Sequence, residues 1–273
     1  MGYRNLTIRG KRDGFGCQLN AVLSGLAFCY NHPNYRYVHT PFCSVSHGWR
    51  ENTDELNNLI GIPDGRHGKR IHVVYRYMAQ VFKDPNHFYN TKTLDYIRQF
   101  YWSTPKPEPV KEDIVVHIRR GDVQRHRGGD RARRYIPNAW YNATIPQLAK
   151  RYPDHYTIAV HSEGEMDEFK PIMDGWPEDL IQRTKWKLSK GTGVPEVGHV
   201  GAHDQEYILP VTFHEMVTAK VLLQSKSGLS YTASLYSEGD IFFLSSGANG
   251  QQTGLSHWKM ARHELEPKEP IFK

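Results

Sequence analysis

The sequence predicts an α/β protein with parallel strands, built as two units that face each other across a cleft. Three observations carry the prediction. β-rich runs alternate with helical runs in both halves of the chain. A proline-rich segment, Ser103-Thr104-Pro105-Lys106-Pro107-Glu108-Pro109, divides the halves. One apolar run, Val115-Val116-His117-Ile118, ends abruptly in Arg119-Arg120-Gly121-Asp122. Prolines at alternate positions exclude helix and give a stiff, extended linker, so the units are expected at 1–104 and 110–273.

The first unit opens with a strand from Tyr3 to Ile8 and a glycine-punctuated turn from Gly10 to Gly16. A helix then runs from Cys17 to about Tyr30, with apolar positions at Leu19, Val22, Leu23, Leu26 and Ala27. Tyr35 to His39 and Ile71 to Tyr75 read as strands, and Thr93 to Tyr101 as a helix. Beyond the linker, Ile114 to Ile118 is a strand and Asn138 to Arg151 a helix capped by Asn138. Tyr156 to His161 is a strand and Glu165 to Met173 a helix. Gly191 to Gly201 is a loop. Phe213 to Leu223 and Leu229 to Tyr236 are helices, and Asp240 to Leu244 closes the pattern as a strand.

Composition narrows the function. A chain of 273 residues, 38% hydrophobic and 12% aromatic, folds; it is not disordered. The net charge of +6 suits an anionic ligand but is not the dense basic stripe of a nucleic-acid binder. Cys17, Cys29 and Cys43 match neither a disulfide framework nor a zinc motif. No secretory signal or membrane anchor is legible, and the apolar stretch from Leu19 to Tyr30 is too short to span a bilayer. A soluble, cytoplasmic protein is expected, with Asn142-Ala143-Thr144 a chance sequon.

Three loops have the chemistry of a phosphate site. Arg119 and Arg120 leave a strand at its C-terminal edge, where open α/β sheets bind ligands, and a guanidinium matches phosphate oxygens bidentately. Asp13-Gly14-Phe15-Gly16-Cys17-Gln18 puts a Gly-x-Gly turn before a helix, exposing backbone N–H groups to an anion. Ser225-Lys226-Ser227-Gly228-Leu229-Ser230-Tyr231 does the same with small hydroxyl residues. Each has a plainer reading: a surface ion pair, an ordinary strand-to-helix turn, a routine serine cap. The polar run from Gln124 to Arg134 reads as an exposed loop, either solvated or a cationic flap. Metal chemistry is not expected: no Asp-x-Asp is present, and glycines and a proline around His199 and His203 argue against a helix that would align them. The aromatics Trp49, Tyr75, Tyr77, Phe88, Tyr89 and Trp102 are either core or an acceptor surface for sugar stacking.

Taken in order, the loops resemble the fucosyltransferase superfamily that carries a His-x-Arg-Arg-x-Asp motif, which includes α-1,2-, α-1,6- and protein O-fucosyltransferases. The motif is complete here as His117-Ile118-Arg119-Arg120-Gly121-Asp122. The family's Gly-x-Gly-x-Gln element is matched by Gly14-Phe15-Gly16-Cys17-Gln18, its serine-rich element in part by Ser225 to Tyr231, and a Ser-Asp strand end loosely by His161-Ser162-Glu163. The resemblance implies a GT-B fold, two Rossmann-like domains with the donor held by the second. It implies an inverting, metal-independent transfer from a nucleoside diphosphate sugar, with no cofactor. Partners would be the nucleotide sugar and a glycan or glycoprotein acceptor, with no nucleic acid and no membrane span. By resemblance Arg119 holds the β-phosphate and Arg120 and Asp122 brace the loop. His117 lies against the nucleotide, and Ser227, Gly228, Leu229 and Ser230 lie against the phosphates. Gly14, Phe15, Gly16, His161, Ser162 and Glu163 complete the donor site. Asp13 is the candidate general base, or else a support for its turn.

The sequence departs from the family pattern at Thr212, where an aspartate that reads guanine is expected, and at Gly228 and Leu229. Glu215 is an alternative reader. The donor therefore stays open between GDP-fucose and a UDP-sugar such as UDP-xylose. A non-catalytic module that binds the nucleotide or glycan is the competing reading, and a nucleic-acid binder using the 125–134 loop is a third.

Overall fold

The computed structural model describes residues 2–9, 13–45, 53–65, 71, 73–108, 112–121, 123, 134–189, 209–244 and 254–261. Asp122, Trp49, His199, His203, the 191–201 segment and nearly all of the 124–134 segment lie outside the described residues.

The protein is a mixed α/β structure, and in both sheets every pairing among the described residues is parallel. The first sheet joins β1 (Arg4–Ile8), β2 (Tyr35–Tyr37) and β3 (Val73–Tyr75) in the order β2-β1-β3. Helix α1 (Phe15–Asn31) follows β1. Short helices α2 (Thr53–Ile60), α3 (Ala79–Lys83) and α4 (Pro85–Phe88) lead to α5 (Thr91–Trp102), which Asn90 caps by accepting the Thr93 N–H.

The second sheet contains β4 (Ile114–His117), β5 (Ile158–Glu163), β6 (Thr184–Ser189), β7 (Val221–Leu223), β8 (Asp240–Phe243) and β9 (Lys259–Met260). Their order is β6-β5-β4-β7-β8-β9. The chain builds outward from β4 to β6, then returns beside β4 as β7 and builds the other way. The reversal lies between β4 and β7, and the crevice at such a switch is where open parallel sheets hold ligands. β4 is buried along its whole length, as its unbroken apolar run requires with helices on both faces.

One face of this sheet is covered by α6 (Asn138–Ala149), α7 (Met166–Phe169) and α8 (Glu178–Gln182), through Trp140, Tyr141, Phe169 and Leu180. The other is covered by α9 (Leu209–Thr218) and α10 (Gly228–Tyr236), through Phe213, Met216 and Leu235. That second core runs on without a break into α1, α5 and the first sheet. The halves are also tied by polar contacts. The Tyr101 hydroxyl meets His214 Nδ1 at 2.9 Å. Arg98 donates to the carbonyls of Tyr236 (3.1 Å) and Ser237 (2.6 Å), a cation closing the C-terminus of α10.

Most of the expected elements recur, some with changes, and α2, α3, α4, α8 and β9 add to them. The apolar run read as one helix from Phe213 to Leu223 is helix only to Thr218; Val221–Leu223 is β7, paired on both sides by β4 and β8. Pro137 occupies the cap position of α6, and Asn138, expected there, is its first helical residue. Pro171 tightens the end of the 165–173 helix into a 3₁₀ turn, Lys170–Ile172. β6 was not expected from the sequence. The Asn142 sequon is structural: its amide donates to the carbonyls of Ile172 and Asp174, both at 2.8 Å, and Thr144 is buried.

Candidate functional site

The two arginines after β4 have different surroundings. Arg120 is buried. Its guanidinium donates to the Arg119 carbonyl (2.9 Å), the Ile136 carbonyl (2.9 Å) and Asn138 Oδ1 (2.6 Å), and lies 4.4 Å from the Tyr135 ring centre. It braces the loop to the start of α6. Arg119 is only half-buried at the strand edge. Gly121 turns the chain with φ +73°, a conformation that favours glycine, and a Cβ there would displace the end of the Glu163 side chain, whose Oε2 lies 1.6 Å from its position. Glu163 thus packs on the motif loop, and its neighbour Ser162 donates to the Ile118 carbonyl at 2.9 Å.

Across the switch, β7 leads into α10 through Gln224 to Ser227. The serine hydroxyls there serve the turn. Ser227 caps α10 by accepting the Leu229 N–H (3.3 Å), and its own N–H donates to the Ser225 carbonyl (2.8 Å). Ser230, fully buried, accepts the Ser225 N–H at 3.3 Å. Ser225 Oγ lies 3.0 Å from His117 Nδ1, which joins the turn to β4. The N–H groups of Ser225, Ser227 and Leu229 are thus engaged inside the turn, and what it offers a ligand is the positive end of α10.

The third loop meets the second. Asp13 Oδ1 accepts the Gly14 N–H at 2.9 Å, and the buried Gln18 amide donates to the carbonyls of Asp13 (2.9 Å) and Ser44 (2.8 Å). Phe15 packs edge-on against Phe42 and Phe213. Gly16 lies against the backbone of Gly228 and Leu229. The N-termini of α1 and α10 are therefore side by side at the switch crevice beside the β4 edge from which Arg119 emerges. A small pocket opens nearby between β1 and α1, lined by Ile8, Arg9, Gln18, Thr40 and Phe42 among others.

His161 follows a different course from Ser162 and Glu163. It pairs in register with His117 on one side and Lys187 on the other. Glu215 of α9 reaches this row: one carboxylate oxygen lies against His161 Nε2, and the other forms an ion pair with Lys187 Nζ at 2.5 Å. Burial alone would raise the Glu215 pKa; the contacts from His161 and Lys187 outweigh it and hold the carboxyl below its ordinary range. Both Glu215 oxygens are thus engaged inside the protein. Thr212 is fully buried, and its hydroxyl has no hydrogen-bond partner among the described residues.

Sequence reasoning placed Ser225 in its loop but missed its link to His117, 108 residues away, and it missed Lys187, on the unpredicted β6. The signal for β6 was the alternation Lys185-Trp186-Lys187-Leu188, in which the apolar residues pack on one face. Of the aromatics, Phe88 and Tyr89 are core, whereas Tyr75, Tyr77 and Trp102 are exposed. Among the described residues no three His, Cys, Asp or Glu side chains group as metal ligands, and no helix is long and apolar enough to cross a membrane.

No protein-family model matches the chain, and no curated protein matches it. Among solved structures it is similar to the E. coli heptosyltransferase WaaC with ADP-2-deoxy-2-fluoro heptose, at 10% identity and a TM-score of 0.41, with 94% of this chain and 92% of that chain covered. A likeness of that degree does not establish a shared fold.

Proposed function

We propose that the protein is a glycosyltransferase that moves a sugar from a nucleoside diphosphate donor to a hydroxyl of a glycan acceptor. The observation that supports this best is the meeting of two helix N-termini at the β4–β7 switch, beside Arg119. Two positive helix ends and a guanidinium suit a diphosphate. In the reaction the acceptor oxygen bonds the anomeric carbon as the bond from that carbon to the β-phosphate oxygen breaks. The acceptor proton passes to Asp13, on the far side of the sugar, so the configuration inverts. Arg119 takes up the charge that develops on the leaving phosphate without having to reorganise, the role a metal ion would otherwise fill.

Among the described residues of α9, Glu215 is engaged by His161 and Lys187, and the buried Thr212 carries no carboxylate, so neither supplies an acceptor for the N–H edge of guanine. This favours a UDP-sugar over GDP-fucose. The test is a thermal-shift panel of GDP- and UDP-sugars, with Arg119→Ala as control. A shift with one nucleotide class, lost in the variant, is expected. No shift with any nucleotide overturns the reading.

A binding module without catalysis is favoured by one observation: Asp13 Oδ1 is held by its own turn. Incubation with the stabilising nucleotide sugar separates the readings, because a binder releases no free sugar.

A further inference from the structure

The reaction above uses Arg119 and the first turn of α10 and gives His117 no task. Yet its imidazole is buried, and its Nδ1 lies 3.0 Å from Ser225 Oγ. Ser225 in turn organises the entry to α10, with its carbonyl accepting from Ser227 N–H (2.8 Å) and its own N–H donating to Ser230 Oγ (3.3 Å). Ser234 donates to the Ser230 carbonyl (2.8 Å) and accepts from the Gln224 amide (2.6 Å), which closes the network on the end of β7. His117 is therefore the one link in this network that comes from β4, the strand that delivers Arg119.

We propose that His117 is a positioning residue: through Ser225 it fixes the turn that opens α10 relative to Arg119, and it does not touch the anion. The inference rests on the reading that this turn faces a diphosphate. The groups around the ring agree with a neutral imidazole. Arg119 faces it from its own loop, Ser225 from the β7–α10 turn, and His161 from β5, with Glu215 of α9 engaged by His161. Burial first, then the charges of Arg119 and His161, push the His117 pKa from 6.5 down to about 3. A neutral ring can hold Ser225 but adds no positive charge for phosphate.

The test uses the whole chain with pyrophosphate as probe. His117→Ala and Ser225→Ala should each weaken pyrophosphate binding by about fivefold to tenfold, and the double variant no further, as expected for one shared contact. His117→Asn, whose amide can still reach Ser225, should restore most of the affinity and guards against misfolding of the alanine variant. With ¹⁵N-labelled histidine, the ring at 117 should stay neutral from about pH 8 to about pH 5, and its signal should move in Ser225→Ala. A ring that titrates in that range while pyrophosphate affinity rises with it would make His117 a cationic ligand and overturn the proposal. So would additive effects of the two alanine variants. If the wild-type protein binds no pyrophosphate, the donor reading fails. The ring signal and a cycle of melting temperatures then decide the His117–Ser225 link alone, and additive melting losses would overturn it.

Discussion

Gly16 of α1 and Leu229 of α10 touch backbone to backbone: a Cβ on Gly16 would lie 2.2 Å from the Leu229 nitrogen and 2.5 Å from the Gly228 carbonyl carbon. Neither atom can move without shifting a helix. Gly16→Ala should cost about 2–3 kcal/mol, by the overpacking scale, read as a lower melting temperature. Gly2→Ala, with nothing within 4 Å of the new methyl, is the control and should leave it unchanged. An equal, small effect of both would mean the helices do not meet.

Gly121 carries two separable constraints. Its φ of +73° strains any side chain, and Glu163 fills the space a Cβ needs. Gly121→Ala should destabilise by about 1–2 kcal/mol of backbone strain, plus a smaller part for moving the end of Glu163. Adding Glu163→Ala should recover that smaller part. Chemical denaturation of the three variants measures both parts, and no recovery in the double variant would remove Glu163 from the account.

The adjacent arginines should separate by role. Arg120→Lys loses the planar fork that reaches Ile136 and Asn138 and the stack on Tyr135, at a cost of about 2–3 kcal/mol in stability. Arg119→Lys should weaken nucleotide binding more than it lowers stability. Melting and calorimetric titration of each variant check the split, and the reverse pattern would exchange their roles.

Glu215 makes stability sensitive to acid. Its carboxyl is held below its ordinary 4.5 in the folded protein, so the unfolded chain binds its proton first as pH falls. Its contribution is full above 4.5 and is lost as pH drops through the folded value. The stability gap between wild type and Glu215→Gln should therefore be widest at neutral pH and narrow in acid. Urea midpoints across pH measure it, and a gap independent of pH would mean the carboxylate is not ion-paired.

Local signals made the frame of the fold legible. The unbroken apolar run of β4, the strand–turn–helix of Tyr3 to Tyr30 and the serine turn before α10 each announce themselves in a few residues. β7 did not, because the stretch from Phe213 to Leu223 carries apolar residues to its end without a break that separates helix from strand; pairing with β4 and β8 decides it. The Gly-x-Gly turn was legible as a turn, but one reason for its second glycine, the approach of α10, depends on a residue more than two hundred positions away. The same holds for Asn138, whose Oδ1 accepts from Arg120 and whose side-chain Nδ2 donates to the Glu168 carbonyl. Such roles depend on partners that a local pattern does not contain.

The unbroken core between the sheets has a consequence for synthesis on the ribosome. Phe15 is made long before Phe213, and Tyr101 precedes its hydrogen-bond partner His214 by 113 residues. At typical elongation rates the apolar flank of α1 waits on the order of ten seconds or more for the helices that cover it. The nascent first half is therefore a natural client for chaperones, and its exposure ends only when α9 and α10 have left the exit tunnel.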